Sequence, residues 1–254
     1  MSDRDTPADH SGGSSAQHAN LPPVVTIDGP SGTGKGTLRT RLATRLGFHM
    51  LDSGALYRGL ALWVADVEQG APAARLPSAQ ALGDLARRLP IRFVVDGSEL
   101  GLVVELNGKP VTDALRAEAV GAEASRLAAM PEVRAGLLDL QRDFRQWPGL
   151  VADGRDMGTV VFPDAGCKIF LTASAGVRAE RRAKQLNAQG VSVSLAQLVS
   201  DIAARDARDS ERAVAPLRPA ADALILDTSG LDIDAVEAEV LAFIARCGIP
   251  EAIA

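Results

Sequence analysis

Val24–Gly36, VVTIDGPSGTGKG, is the stretch whose reading decides the fold. A β-branched run, Val24 to Ile27, breaks into Gly29, Pro30, Ser31, Gly32, Thr33 and Gly34, followed by Lys35, Gly36 and Thr37. Leu38, Leu42 and Leu46 then recur at helical spacing. Strand, glycine-rich loop, lysine and helix together make a phosphate cradle out of an otherwise loose Gly-x4-Gly-Lys pattern. Glycines let successive backbone N–H groups point at one anion, and the helix N-terminus adds unpaired N–H groups and its positive dipole end. Lys35 adds a mobile charge for terminal phosphates. An ordinary Gly/Pro turn is the bland alternative, and the flanking strand and helix argue against it. The common pattern has Ser or Thr directly after the lysine as a magnesium ligand. Gly36 stands there instead, so a contact from Thr37 through water is the expectation.

Working outward, the chain has 254 residues, 46% hydrophobic and 23% charged, an ordinary globular composition with length for one large domain or one and a half. A net charge of −5 argues against a broad basic field and a nucleic-acid partner, while leaving room for a local arginine pocket. The two cysteines, Cys167 and Cys247, are far apart in the chain and lack metal spacing, which suits a reduced, cytoplasmic protein. No apolar run reaches membrane-spanning length, and the N-terminus lacks a signal-peptide pattern. Residues 1–21, polar and rich in Gly, Ser and Asp, read as a disordered tail ahead of a domain over 22–250.

After the first helix, Phe48 to Leu51 reads as a short buried strand running into DSGALYRG. Ser53 there either caps the next helix or contacts a second, incoming phosphate, and Arg58 lies one turn into that helix. Residues 91–112 carry two strand-like runs, IRFVV and LGLVVEL, around DGSE, with Asn107-Gly108 as a further turn: a small antiparallel sheet. Helical periodicity fills 113–146 and breaks at Pro131. An insertion over about 53–147 is long enough to be a subdomain.

Leu150–Ala165, LVADGRDMGTVVFPDA, is the second informative stretch. Asp153 ends a buried strand at the edge where α/β sheets place ligands, suited to holding the waters of a magnesium ion; a plain Asp-Gly turn is the alternative. Arg155 and Asp156 follow in the loop. Cys167 to Leu171 is another buried strand. Arg178, Arg181 and Arg182 then share a helix face, either solvated or part of a mobile lid over about 174–193. Arg205, Arg208 and Arg212 fall in one stripe of a further helix, with Asp206 and Asp209 between; Leu195, Leu198 and Ile202 bury its other side, and Pro216 is expected to stop it. Ala223 to Leu226 reads as the last buried strand before a closing helix over 231–247. The order implies an α/β fold, a five-stranded mainly parallel sheet with helices on both faces, plus an insertion and a lid.

Transfer between two phosphates needs positioning and positive charge more than covalent help. A phosphate cradle, an acid for magnesium and arginines at separate places favour a kinase acting on a phosphorylated acceptor. There is no Asn-Lys-x-Asp for guanine, as a switch GTPase would need. A small-molecule kinase of the shikimate or sugar type and a non-catalytic nucleotide-binding switch remain as alternatives. Taken together, GPSGTGKGT, LDSGALYRGLAL, ASRLAAMPEVRAGLLDLQRDF, GLVADGRDMGTVVFPDA and ARDARDSERAVAPL resemble the bacterial cytidylate kinases, of the nucleoside monophosphate kinase family, over nearly all of residues 23–246. That resemblance implies ATP plus CMP or dCMP giving ADP plus CDP or dCDP, with magnesium, in a monomer. By carry-over, Ser53, Arg58, Arg155 and Arg212 look like ligands of the acceptor phosphate, and Ser125, Arg134 and Asp156 look like the cytosine site. Arg205 and Asp209 look like contacts to ribose and phosphates, while Arg178, Arg181 and Arg182 would close over ATP.

Overall fold

β1 (Val24–Asp28) is buried at all five positions, as a strand covered on both faces must be. The computed structural model describes residues 21–70, 78–94, 103–188 and 190–249, so the tail, the DGSE turn and residue 189 lie outside it. After β1 come α1 (Lys35–Leu46), β2 (His49–Asp52), α2 (Ser53–Gly70), α3 (Ala79–Arg87), β3 (Ile91–Val94), β4 (Val103–Leu106) and β5 (Lys109–Pro110). Then follow α4 (Glu118–Leu127), α5 (Pro131–Asp143), β6 (Leu150–Gly154), β7 (Cys167–Thr172), α6 (Ala175–Ala188), α7 (Leu195–Glu211), β8 (Leu224–Asp227) and α8 (Ile233–Arg246).

β1 sits at the centre of a five-stranded sheet of order β2-β6-β1-β7-β8, every described pair parallel. β3, β4 and β5 form the separate antiparallel sheet, with Asn107 and Gly108 both at positive φ in the β4–β5 turn. Alternation along β1 divides the core. Val25 and Ile27 pack with Leu38 and Leu42 of α1 and Val236 and Val240 of α8. Val24 packs on the other face with α2, α5 and Met157 and Phe162. Thr26 and Asp28 share that second face, so a polar side chain reaches the sheet edge there. Cys167 and Cys247, distant in sequence, pack into the α1–α8 core, and both are free thiols.

Three expectations need correction. β2 and β8 are edge strands, not buried ones: in β2 only Leu51 is buried, and Ile225 of β8 is 58% exposed. α7 ends at Glu211, well before Pro216. Arg212 takes extended angles (φ −61°, ψ 138°), its Nε donates to the Ala215 carbonyl, and the Leu217 N–H returns to the Asp209 carbonyl at 2.8 Å. Arg212 therefore leaves the helical stripe, and Arg208 faces solvent. Finally, Leu195 is 45% exposed, and Leu198 and Ile202 make the α6–α7 contact without it.

Candidate active site: a phosphate loop beside an arginine-lined pocket

The β1–α1 loop owes its shape to glycine. Gly29 has φ +142°, and a Cβ there would lie 2.1 Å from the Leu171 carbonyl oxygen. Gly34 caps α1 in the left-handed conformation (φ 93°), which turns the chain directly into the helix. Lys35 is the first helical residue and curls back over the loop, its Nζ donating to the Pro30 carbonyl at 2.6 Å. Burial lowers the Lys35 ammonium to about 7, with Arg155 adding repulsion, against the pull of Asp153 and Asp28. A bound phosphate reverses that shift. Gly36 and Thr37 are exposed on the first turn, beside open space.

A pocket opens at the same edge of the sheet, between α2, α4, α5, the β6 loop and the end of α7. Ser53, Ser125, Arg134, Arg155, Asp156, Arg205, Asp209 and Arg212 all line it. Arg58 does not: its Nη1 donates to the Leu115 carbonyl at 2.9 Å, behind the pocket wall. It still feeds the same field, because a Cβ on Gly121 would lie 3.6 Å from Arg58 Nη2 and 3.9 Å from Arg205 Nη1. Arg134 pairs with Asp156, whose other oxygen lies 3.7 Å from Arg212, and Arg155 donates to Asp209 at 2.8 Å. Burial lowers Arg205 to about 10, with repulsion from Arg155 and Arg58, and burial with repulsion from Arg134 lowers Arg212. Ser125 Oγ, Arg205 Nε and Arg212 Nη2 are buried without a hydrogen-bond partner.

Geometry removes one of the two readings of Ser53, the helix cap. Asp52 caps α2, its Oδ1 accepting from the Ala55 N–H at 2.9 Å. The Ser53 hydroxyl instead donates to Gln141 Oε1 at 2.8 Å and lines the pocket. Gln141, 2% exposed, has no local sequence signal beyond its place on an amphipathic helix.

The three arginines of α6 diverge. Arg178 is buried, pairs with Asp206, and donates to the Ser31 carbonyl at 3.1 Å, so it touches the phosphate loop. Arg181 donates to Thr228 Oγ1 at 3.0 Å and to its carbonyl at 2.6 Å, which ties α6 to the residue after β8. Arg182 pairs with Glu118 at the start of α4 and donates to Gln185 at 2.8 Å. None of the three is simply solvated.

Two residues at the sheet edge escape a reading of the sequence. Arg39, buried on α1, pairs with Asp153 Oδ1 and with Asp52 at 3.1 Å, so one oxygen of the expected magnesium acid is already engaged. Asp28, at the end of β1, accepts from the N–H groups of Met157 and Gly158 at 2.9 and 2.8 Å. Burial raises Asp28 to about 7, against those two donors. Spacing in the sequence carries no sign of either contact.

The family model for cytidylate kinase matches residues 25–246. The cytidylate kinase of Aeromonas hydrophila subsp. hydrophila is 53% identical over 225 residues, covering 88% of this chain and 94% of that protein. The cytidylate kinase of Pseudomonas aeruginosa (strain UCBPP-PA14) is 53% identical over 226 residues, covering 89% and 96%. That of Stutzerimonas stutzeri (strain A1501) is 54% identical over 223 residues, covering 88% and 95%. With a phosphate loop and an arginine-lined pocket at one sheet edge, and with this likeness running through both, the chain belongs to the cytidylate kinase family.

Proposed function

We propose that this chain transfers the γ-phosphoryl group of ATP to CMP or dCMP, giving ADP and CDP or dCDP. The observation that carries the reading is the set of buried donors without a hydrogen bond, Ser125 Oγ, Arg205 Nε and Arg212 Nη2 (the last only 3.7 Å from Asp156), around a pocket of mutually repelling arginines. Each unpaired buried donor costs about 1–3 kcal/mol, which an anionic, acceptor-rich ligand offsets. A nucleoside monophosphate has that chemistry. Ser53, Arg155 and Arg212 hold its phosphate, with Arg58 adding field from behind. Ser125, Arg134 and Asp156 read the base, Asp156 accepting from a cytosine amino group where uracil would present a repelled carbonyl. Arg205 and Asp209 hold the ribose and phosphates. Gly29, Pro30, Ser31, Gly32, Thr33, Gly34, Lys35, Gly36 and Thr37 cradle the donor, and Lys35, Arg178 and Arg182 offset charge on the transferred group.

The residues fit a magnesium ion held mainly by nucleotide phosphates. Among the described residues no three His, Cys, Asp or Glu groups converge as a protein cage, and hard oxygens are offered by Thr37 and Asp153. Arg39 engages Asp153 Oδ1, so Asp153 and Thr37 would act through the water of the ion. Magnesium would neutralise phosphate charge there. Residues 53–147 serve as the acceptor subdomain and 174–193 as the lid. The protein works as a cytoplasmic monomer with nucleotides as its partners; among the described residues no helix is long and apolar enough to cross a membrane.

The test is coupled ADP release with ATP and magnesium against CMP, dCMP, UMP, AMP, dTMP, shikimate and no acceptor. Turnover with CMP and dCMP far above the rest is expected. Preference for UMP or AMP would overturn the base assignment, and release without acceptor would overturn the two-phosphate reading.

A further inference from the structure

The last strand position of β1, Asp28, stands directly before Gly29 of the phosphate loop and carries an unexplained buried carboxylate. Asp28 is 4% exposed, yet it does not line the acceptor pocket and, among the described residues, makes no ion pair within 4 Å, although it attracts the Lys35 ammonium at longer range. Its two oxygens divide between two consecutive backbone donors, Met157 N–H at 2.9 Å on Oδ1 and Gly158 N–H at 2.8 Å on Oδ2. Those donors open a single π-helical turn, Met157–Val161, closed by Phe162 N–H on the Met157 carbonyl at 2.7 Å. The turn lies flat on β1: a Cβ on Gly158 would meet Thr26 Oγ1 at 2.8 Å and Lys168 Cδ at 3.2 Å. Immediately upstream stand Arg155, whose Nε bonds Asp209, and Asp156, which pairs with Arg134. Downstream of Asp28 itself, Gly29 begins the phosphate loop.

We propose that Asp28 is a positioning residue for phosphoryl transfer, a carboxylate that pins the Met157–Gly158 turn to the root of the phosphate loop and so fixes Arg155 and Asp156 relative to the donor. The inference rests on the reading of Arg155 and Asp156 as acceptor contacts. Arg155 and Asp156 are loop residues, and their side-chain partners on α5 and α7 belong to elements that meet the acceptor. The β1–β6 ladder holds the loop's root, pairing Asp28 with Gly154, and beyond Arg155 and Asp156 the two bonds to the Asp28 carboxylate tie the loop again to the strand that ends in the donor cradle. A sub-ångström shift of Arg155 misaligns the acceptor phosphate without touching ATP.

Asp28→Asn keeps shape and one acceptor oxygen but sets an NH2 group against a backbone N–H. Assayed near pH 8, about a unit above the raised value of the wild-type carboxyl, the variant should lose roughly 10- to 100-fold in kcat/KM for CMP. Its affinity for ATP without acceptor, read by calorimetry, should stay within roughly threefold of wild type. Unchanged kcat/KM for CMP overturns the proposal. Equal weakening toward ATP also overturns it, since Asp28 would then be a general support of the sheet edge. Wild-type turnover is measured first: its absence with CMP refutes the reaction, whereas wild-type turnover matched by Asp28→Asn refutes the positioning role alone. Hydrogen exchange on the nucleotide-free wild type decides the matter even if the variant fails to fold. The Met157 and Gly158 amides should already exchange slowly, and protection appearing only once CMP is added would overturn the proposal.

Discussion

Ser125→Ala should make the empty protein more stable and the enzyme worse. Ser125 lies on α4 at 8% exposure, and its Oγ is buried with no hydrogen-bond partner. Removing an unsatisfied buried hydroxyl recovers about 1 kcal/mol of desolvation, the lower end of the range because a small void is left. Alanine is also the better helix former, by up to about 0.5 kcal/mol. Both contributions have the same sign, and for a domain of this size they correspond to a rise of about 2–5 °C in Tm. The same hydroxyl, if it bonds the base, is worth roughly 10- to 100-fold in kcat/KM for CMP. Scanning calorimetry without nucleotide and coupled ADP release from the same preparation supply both numbers. A lower Tm would mean that the hydroxyl has a partner in the empty protein. An unchanged kcat/KM would mean that it does not face the ligand. Either result refutes the argument that orphaned donors mark the acceptor site.

Lys35→Met should lose on the order of 100-fold or more in kcat, and near-normal turnover would end its assignment to transition-state charge. Because burial lowers Lys35 to about 7, its charge is lost as pH rises through that value in the empty enzyme, and phosphates restore it. ATP binding near pH 8, about a unit higher, should therefore take up close to one proton, seen as a buffer-dependent heat that Lys35→Met removes; an uptake that persists in the variant contradicts this. Arg39→Met strands the carboxylates of Asp52 and Asp153 and should cost about 3 kcal/mol, discounted because the Asp52 side chain is 36% exposed. That is a fall of about 6–12 °C in Tm, and a loss under about 2 °C would show the pair to be a solvated one. Glu118→Gln breaks a pair in which the Glu118 side chain is 64% exposed and should barely move Tm, whereas Arg182→Ala should lower kcat; equal kinetic losses would reduce Arg182 to a structural tie.

Much of this molecule can be read from local pattern. The strand, loop and helix of Val24–Leu46 are legible because glycine conformation, helix dipole and apolar spacing all act within a few residues. The Asn107-Gly108 turn and the Pro131 start of α5 follow from the same short-range rules. Burial of β2 and β8 is not legible, because an apolar run does not say whether its strand has one neighbour or two. The end of α7 is missed for a similar reason. Nothing local forbids helix at Arg212, and its extended angles come with bonds made beyond it, to Ala215 and from Leu217 to Asp209.

The sequence by itself determined the phosphate loop, the parallel α/β core and the stock of arginines, since backbone preference and apolar periodicity are properties of neighbours in the chain. Ser125, Arg134 and Asp156 could be assigned to a base only by resemblance, for their spacing carries no base chemistry. The tertiary structure alone decided which charges meet. It set Arg39 on Asp153, turned Arg181 to Thr228, left Arg58 behind the pocket wall, and placed the Asp28 carboxylate under Met157 and Gly158. Electrostatic and hydrogen-bond energies depend on separations of a few ångströms between residues more than a hundred positions apart, and only the packed sheet edge fixes those separations.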